Sequence, residues 1–140
     1  MEGPITPFPT AGATAVPTDV TAVAPPCPDA PITTDAPANG NTAKWSSTWY
    51  RSPDGQIWAS APGLQHPGGD KVLWVKPVGG QLTVQGKRLD GAAGPLYAVL
   101  STGYESMDYQ ASFIWFPSSG CWEVEARANT TTWRFVVSVK

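Results

Sequence analysis

At 140 residues, with a net charge of −2 at pH 7 and only 14% charged residues, the chain has room for one domain and an extension. A balance so near neutral excludes the electrostatic footprint that nucleic acid or an anionic membrane surface requires, and no run is apolar and long enough for a transmembrane helix. Charge well below the usual ~25%, with abundant Thr, Ser and Trp, suits an extracellular β-protein better than a cytosolic enzyme.

Residues 1–43 hold nine of the fifteen prolines, one aromatic (Phe8), four acids and no Lys or Arg. Such a stretch has too little apolar surface to offset its backbone entropy, so it is expected to be an extended Pro/Thr/Ala-rich arm or linker. Runs such as Ala15-Val16-Pro17-Thr18 favour polyproline II and act as spacers. The opening Met1-Glu2-Gly3-Pro4 lacks the basic-then-apolar pattern of an export signal.

Residues 44–140 carry all seven tryptophans, all four tyrosines and three of the four phenylalanines. That is enough aromatic surface for a real core. Nowhere do apolar residues recur at i, i+3, i+4, i+7 over three turns, so essentially no helix is predicted. Trp45 to Arg51 reads as a first strand, Ser52-Pro53-Asp54-Gly55 as a tight turn, and Gln56 to Ser60 as a second strand. Ala61 to Asp70 reads as a loop and Lys71 to Lys76 as a strand covered on both faces. Leu82 to Leu89 alternates until Gly86, where the apolar phase slips and predicts a bulge. Strands follow at Leu96 to Ser101 and at the heavily aromatic Tyr109 to Phe116.

The last hairpin is the clearest. Trp122, Val124, Ala126 and Ala128 share one phase, with Glu123, Glu125 and Arg127 between them. Trp133, Phe135, Val137 and Val139 share a phase on the return strand. One face is therefore buried and the other solvated. Arg127 and Arg134 are expected near each other across this hairpin, relieved by Glu123 or Glu125. About seven to eight strands at this spacing argue for an all-β, immunoglobulin-like Greek-key β-sandwich over 44–140.

Two cysteines remain. Cys121 falls in the solvated phase of Glu123 and Glu125, so a disulfide made by it lies outside the core. Cys27, in Pro25-Pro26-Cys27-Pro28, is the other half of such a bond, which would staple the arm to the domain and indicate an oxidising compartment. Two free thiols in a reducing cytosol is the competing reading. A lipid-anchored Cys27 suits the sequence less, because Ala24-Pro25-Pro26 is not a small-apolar lipobox context.

Cys27-Pro28, Lys71-Val72-Leu73-Trp74, Gly86-Lys87-Arg88-Leu89-Asp90-Gly91, Phe116-Pro117 through Val124, and Phe135-Val136-Val137 together form a recognisable set. It resembles uncharacterised exported or lipoprotein-type bacterial proteins with an immunoglobulin-like sandwich, over most of residues 71–140. The resemblance implies that fold and the Cys27–Cys121 pairing. It implies no chemistry.

No catalytic signature stands out, and the chain is expected not to be an enzyme. His66 is the only histidine and sits in a Gly/Pro loop, which excludes a His-rich metal site and leaves a Ser-His-Asp triad without a placeable acid. The carboxylates match no calcium-loop spacing, so neither metal nor cofactor is expected. Glu105 and Asp108 flank Met107 in a polar loop; such a pair can do acid–base work or bind a cation, although a solvated loop is the ordinary outcome. Asn129-Thr130-Thr131 fits an N-glycosylation acceptor.

The aromatic surplus is the one hint of a ligand. Trp45 and Trp49 share a strand phase, about 13 Å apart. With Trp58 they are candidates for a carbohydrate platform, against core packing as the ordinary role. The expectation is therefore an exported, extracellular or cell-surface module that binds or assembles with a protein or surface polysaccharide. A carbohydrate-binding module and an assembly subunit using strand addition are the alternatives, with oligomerisation through the N-terminal arm.

Overall fold

The computed structural model describes residues 26–140. Eight strands form two antiparallel sheets: β1 (Trp49–Arg51), β2 (Trp58–Ser60), β3 (Gly68–Val75), β4 (Leu82–Arg88), β5 (Tyr97–Leu100), β6 (Tyr109–Phe116), β7 (Gly120–Ala128) and β8 (Thr131–Val139). Among the described residues the helical pieces are a single turn, α1 (Gly40–Ala43), and a 3-10 turn at Pro62–Leu64. One sheet has the order β1-β2-β3-β6-β5, the other β4-β7-β8.

The sequence alternation explains the layering. Trp122, Val124, Ala126 and Ala128 on β7 and Trp133, Phe135, Val137 and Val139 on β8 all enter the core. From the facing sheet, Tyr50, Ala59, Val72, Trp74, Ile114 and Phe116 meet them. Phe135 is the hub: its ring stacks on Trp133 at 3.8 Å and touches Tyr50 at 5.5 Å and Trp74 at 6.4 Å. Phe116 meets Trp122 edge-on at 5.3 Å. Such aromatic pairs add roughly 0.5–1.5 kcal/mol each beyond the area they bury. Polar groups in this core are satisfied. The Trp74 indole donates to Ser112 Oγ (2.9 Å), which donates in turn to Val72 O (2.7 Å).

Two sequence expectations need correction. No bulge occurs at Gly86, because β4 pairs β7 in unbroken register from Leu82↔Ala128 to Arg88↔Trp122. The apparent slip arises because the strand simply ends: Leu89 is exposed, while Arg88 turns to Asp90, 2.9 Å from Nε to Oδ1. Glycine is needed at position 86 for close approach, since a Cβ would lie 2.8 Å from Glu123 O and 3.1 Å from Leu96 Cδ1. The first strand is also shorter than expected. Trp45 to Thr48 precede β1, which begins at Trp49.

Cys27 and Cys121 are disulfide-bonded, with Cα atoms 5.5 Å apart. Cys121 lies opposite Ser138, outside the core cluster, and is nonetheless buried because the arm covers it. From there the arm runs along the outer edge of β8, where Ala30 N donates to Val136 O (2.7 Å). It then crosses to the other sheet. Thr33 and Trp49 exchange both backbone hydrogen bonds, at 2.8 and 2.9 Å, on the free side of β1. One strap thus closes an edge of each sheet. The expectation that residues before Cys27 reach elsewhere lies outside the described residues.

A candidate docking face on the five-stranded sheet

The outward side of the five-stranded sheet is apolar almost throughout. Strand register puts Trp49 and Arg51 of β1, Trp58 of β2, Lys71, Leu73 and Val75 of β3, Tyr109, Ala111, Phe113 and Trp115 of β6, and Tyr97 and Val99 of β5 on this one face. An outer face so built has to be covered by something.

Half of it is covered by the chain's own strap. Trp49, Trp58 and Leu73 form a small second cluster with Val75, Tyr109 and Ala111 packed against it. Trp49 is completely buried, meets Trp58 edge-on at 6.4 Å and donates its indole N–H to Ser46 O (3.1 Å). The segment that follows Thr33 is anchored at its far side where Asn39 Nδ2 donates to both carboxylate oxygens of Asp108, at 2.9 and 3.1 Å. Arg51 closes the remaining side, its guanidinium 5.3 Å above the Trp58 ring.

The other half, over β5 and β6, is bare. Tyr97 is 61% exposed, Val99 46%, Phe113 40% and Trp115 48%. Tyr97 lies directly opposite Trp115, and Val99 opposite Phe113. Trp45, 50% exposed, stands beside them across a groove of about 340 Å³ whose walls include Lys71, Val99 and Phe113. Glycine at position 69 is a condition of this arrangement, because a Cβ there would run into the Phe113 ring. The other large exposed apolar residues among those described (Ile32, Val78, Leu89 and Met107) lie outside the strands. Isolated exposed apolar residues are ordinary, whereas here four on the sheet face adjoin one another with Trp45 beside them.

The residues singled out from sequence fall into separate groups and do not form one site. Trp49 and Trp58 are buried and offer no face to a sugar, so Trp45 is the one exposed member of that trio. Glu105 and Asp108 sit at a different end, beside the buried Lys76. Its Nζ donates to Met107 O (2.8 Å), Gly80 O (3.3 Å) and Pro77 O (3.4 Å). Burial pushes the Lys76 ammonium pKa down, and the charges of Glu105 and Asp108 oppose that shift. Their role there is to hold two loops together. His66 is not partnerless as its loop suggested: Nε2 lies 2.8 Å from Asp70 Oδ2 and Nδ1 3.1 Å from Pro67 O. The Pro67 carbonyl first, then Asp70, raise its pKa. Among the described residues no three His, Cys, Asp or Glu side chains converge as metal ligands.

The face that stands out was missed. Its signal is in β6, where Phe113-Ile114-Trp115-Phe116 is aromatic or aliphatic in both phases. A strand with one face in water has no need of that, whereas one covered on both faces does.

On the outward face of the smaller sheet, charges are paired instead. Glu125 accepts from Gln85 Nε2 (2.6 Å), Arg127 Nη2 (3.0 Å) and Arg134 Nη2 (3.4 Å). The two arginines are therefore bridged by Glu125; Arg134 faces it directly, and Arg127 faces Thr132.

No family model matches the chain, and no curated protein sequence resembles it. A solved structure does. The crystal structure of a "Putative Lipoprotein from Bacillus anthracis" superposes with a TM-score of 0.53 over 81% of this chain and 86% of that one, at 13% identity. At that identity the likeness is one of fold. The Cys27–Cys121 disulfide of this chain is a bond of the kind that persists in oxidising compartments. Among the described residues no helix is long and apolar enough to cross a membrane.

Proposed function

We propose that this protein is a non-enzymatic exported or cell-surface module that binds a protein partner through the bare half of its five-stranded sheet. The observation that carries the reading is the contiguous patch of Tyr97, Val99, Phe113, Trp115 and Trp45 beside a half already buried by the chain's own strap. Patch chemistry favours protein over sugar. Val99 is aliphatic, and Lys71 is the only charged side chain on that half of the face, too few polar groups to read hydroxyls. The disulfide and the lipoprotein-like fold support export. The double crossing of the chain between sheets from β3 through β6 supports an immunoglobulin-like Greek key over residues 44–140, with the arm up to residue 43 as its strap and linker.

A photo-cross-linking side chain at position 115 tests this in cells making the full chain, with position 127 on the opposite sheet as control. A single adduct at 115, mapped by mass to one protein segment and absent at 127, is the expected result. No adduct at 115, or the same adducts at both positions, overturns the reading. A carbohydrate-binding role is the second reading, favoured by Trp45 and Phe113 flanking a groove walled by Lys71. It requires the protein to be depleted from solution by an insoluble polysaccharide, and Trp45→Ala to abolish that depletion.

A further inference from the structure

The bare face ends at a bare edge. Of the four sheet edges, β1 is paired by Thr33 and β8 is bonded by Ala30. β4 receives a bond from Leu96 N to Gly86 O (3.1 Å). That leaves β5. Its hydrogen-bonding phase can be read from its ends. Ser101 N donates to Ala111 O (3.0 Å), so Ser101, Val99 and Tyr97 direct their backbone groups toward β6. The intervening Ala98 and Leu100 direct theirs away, as Leu96 does. An edge strand of this kind is normally blunted by charge, proline or a bulge. Here Tyr97-Ala98-Val99-Leu100 contains none of these, and from Gly91 to Tyr104 the chain carries no charged residue at all.

We infer that the occupant is a second copy of this chain, whose β5 adds antiparallel to β5 about a two-fold axis through Ala98. This rests on the reading of the bare face as a docking surface and names its partner. Three features of the strand favour self-pairing. The absence of charge from Gly91 to Tyr104 removes the like-charge repulsion that a strand meeting its own copy otherwise suffers. With Ala98 opposite Ala98, the two alanines exchange both backbone bonds. Each Leu100 N–H meets the carbonyl of Leu96, whose own N–H is already held by Gly86. In that register Tyr97 falls opposite Val99 of the other copy, twice, which is the aromatic–β-branched pairing that sheets favour. The two bare halves then join into one continuous aromatic face on one continuous sheet. Every other register that keeps the outward side chains together loses the Tyr97–Val99 pairs.

Sedimentation of the purified, disulfide-intact full chain across a dilution series reads the inference. The expected result is a species of twice the chain mass that dissociates on dilution. Ala98→Pro, which removes an outward-facing N–H, and Val99→Lys, which puts a charge in the joined face, should each shift it to a single chain mass with unchanged circular dichroism. If Ala98→Pro fails to fold, Val99→Lys carries the test alone. Mixing Tyr97→Cys with Val99→Cys under oxidising conditions should cross-link the two variants much faster than either links to itself, since those positions lie about 4.5–5.5 Å apart between Cα atoms across an antiparallel pair. A chain that sediments as a monomer at every concentration overturns the inference, as does a dimer indifferent to Val99→Lys or a mixture that does not cross-link. A monomer that still gives a single foreign adduct at position 115 overturns the dimer alone and leaves the docking face standing.

Discussion

Single side chains do two separable jobs in this molecule. Lys76 is a structural cation: buried, with three carbonyl acceptors from two loops and no carboxylate in direct contact among its hydrogen bonds. Lys76→Ala leaves those carbonyls without a donor, and urea unfolding should show a loss of about 1–3 kcal/mol. Asp90 works through charge at the surface. The backbone N–H of Cys121 and then the Arg88 guanidinium hold its carboxyl pKa below the usual range. A depressed carboxylate stabilises the fold above its unfolded pKa, and that contribution is lost as pH falls through the folded value. Thermal melts of the native chain should therefore fall off toward low pH, with a shallower acid limb in Asp90→Asn. An equal acid limb in both proteins would show that other carboxylates carry it.

Among the elements, the strap is held both by backbone hydrogen bonds and by a covalent link. Over the described residues up to 43 it bonds β8 and β1 by backbone, ties Asn39 to Asp108 and is covalently fixed at Cys27. The disulfide closes a sequence separation of 94, for which loop-closure entropy alone gives roughly 4–5 kcal/mol. Replacing both cysteines by serine should lower unfolding stability by up to about that amount. It should also shift tryptophan emission to the red as Trp49 gains access to water. Stability loss without the red shift would mean that the strap stays docked by its hydrogen bonds. How legible these elements were follows from who covers them. The β7–β8 hairpin could be read residue by residue because one face meets the core and the other water. Cys121 could be placed outside the core by the same phase. Trp45 to Thr48 alternates like a strand but is held to the sheet only at its end, where Thr48 O accepts from Ala61 N (3.1 Å), and Trp49 is flanked by Thr33, distant in sequence. Neither fact leaves a local signature. The bare face was legible only in part: Phe113-Ile114-Trp115-Phe116 is apolar in both phases, but Tyr97 and Trp115 share a face only through a pairing between strands.

At the scale of the whole molecule, the fold is an exercise in closing edges, and amide exchange should map it. Ala30 donates to β8, while Thr33 and Trp49 bond each other on β1, so the amides of all three should be protected in the oxidised protein. Reduction of Cys27–Cys121 frees the strap without touching the sheet interior. Exchange should then accelerate at these three positions while Val72, Trp74, Ser112 and Ile114, central in the β3–β6 pair, keep their protection. Along β5 the same map should alternate. In the dispersed Val99→Lys protein, Tyr97 and Ser101 amides, directed at β6, should exchange slowly, and those of Ala98 and Leu100 rapidly. In the native chain at high concentration Ala98 and Leu100 should slow as well, because the second copy accepts from them. Uniform protection along β5 in the dispersed protein would mean that its outward amides already have a partner within the chain. The edge would then be closed like the other three, and the bare aromatic face would be left as a docking surface reached from above and not from the side.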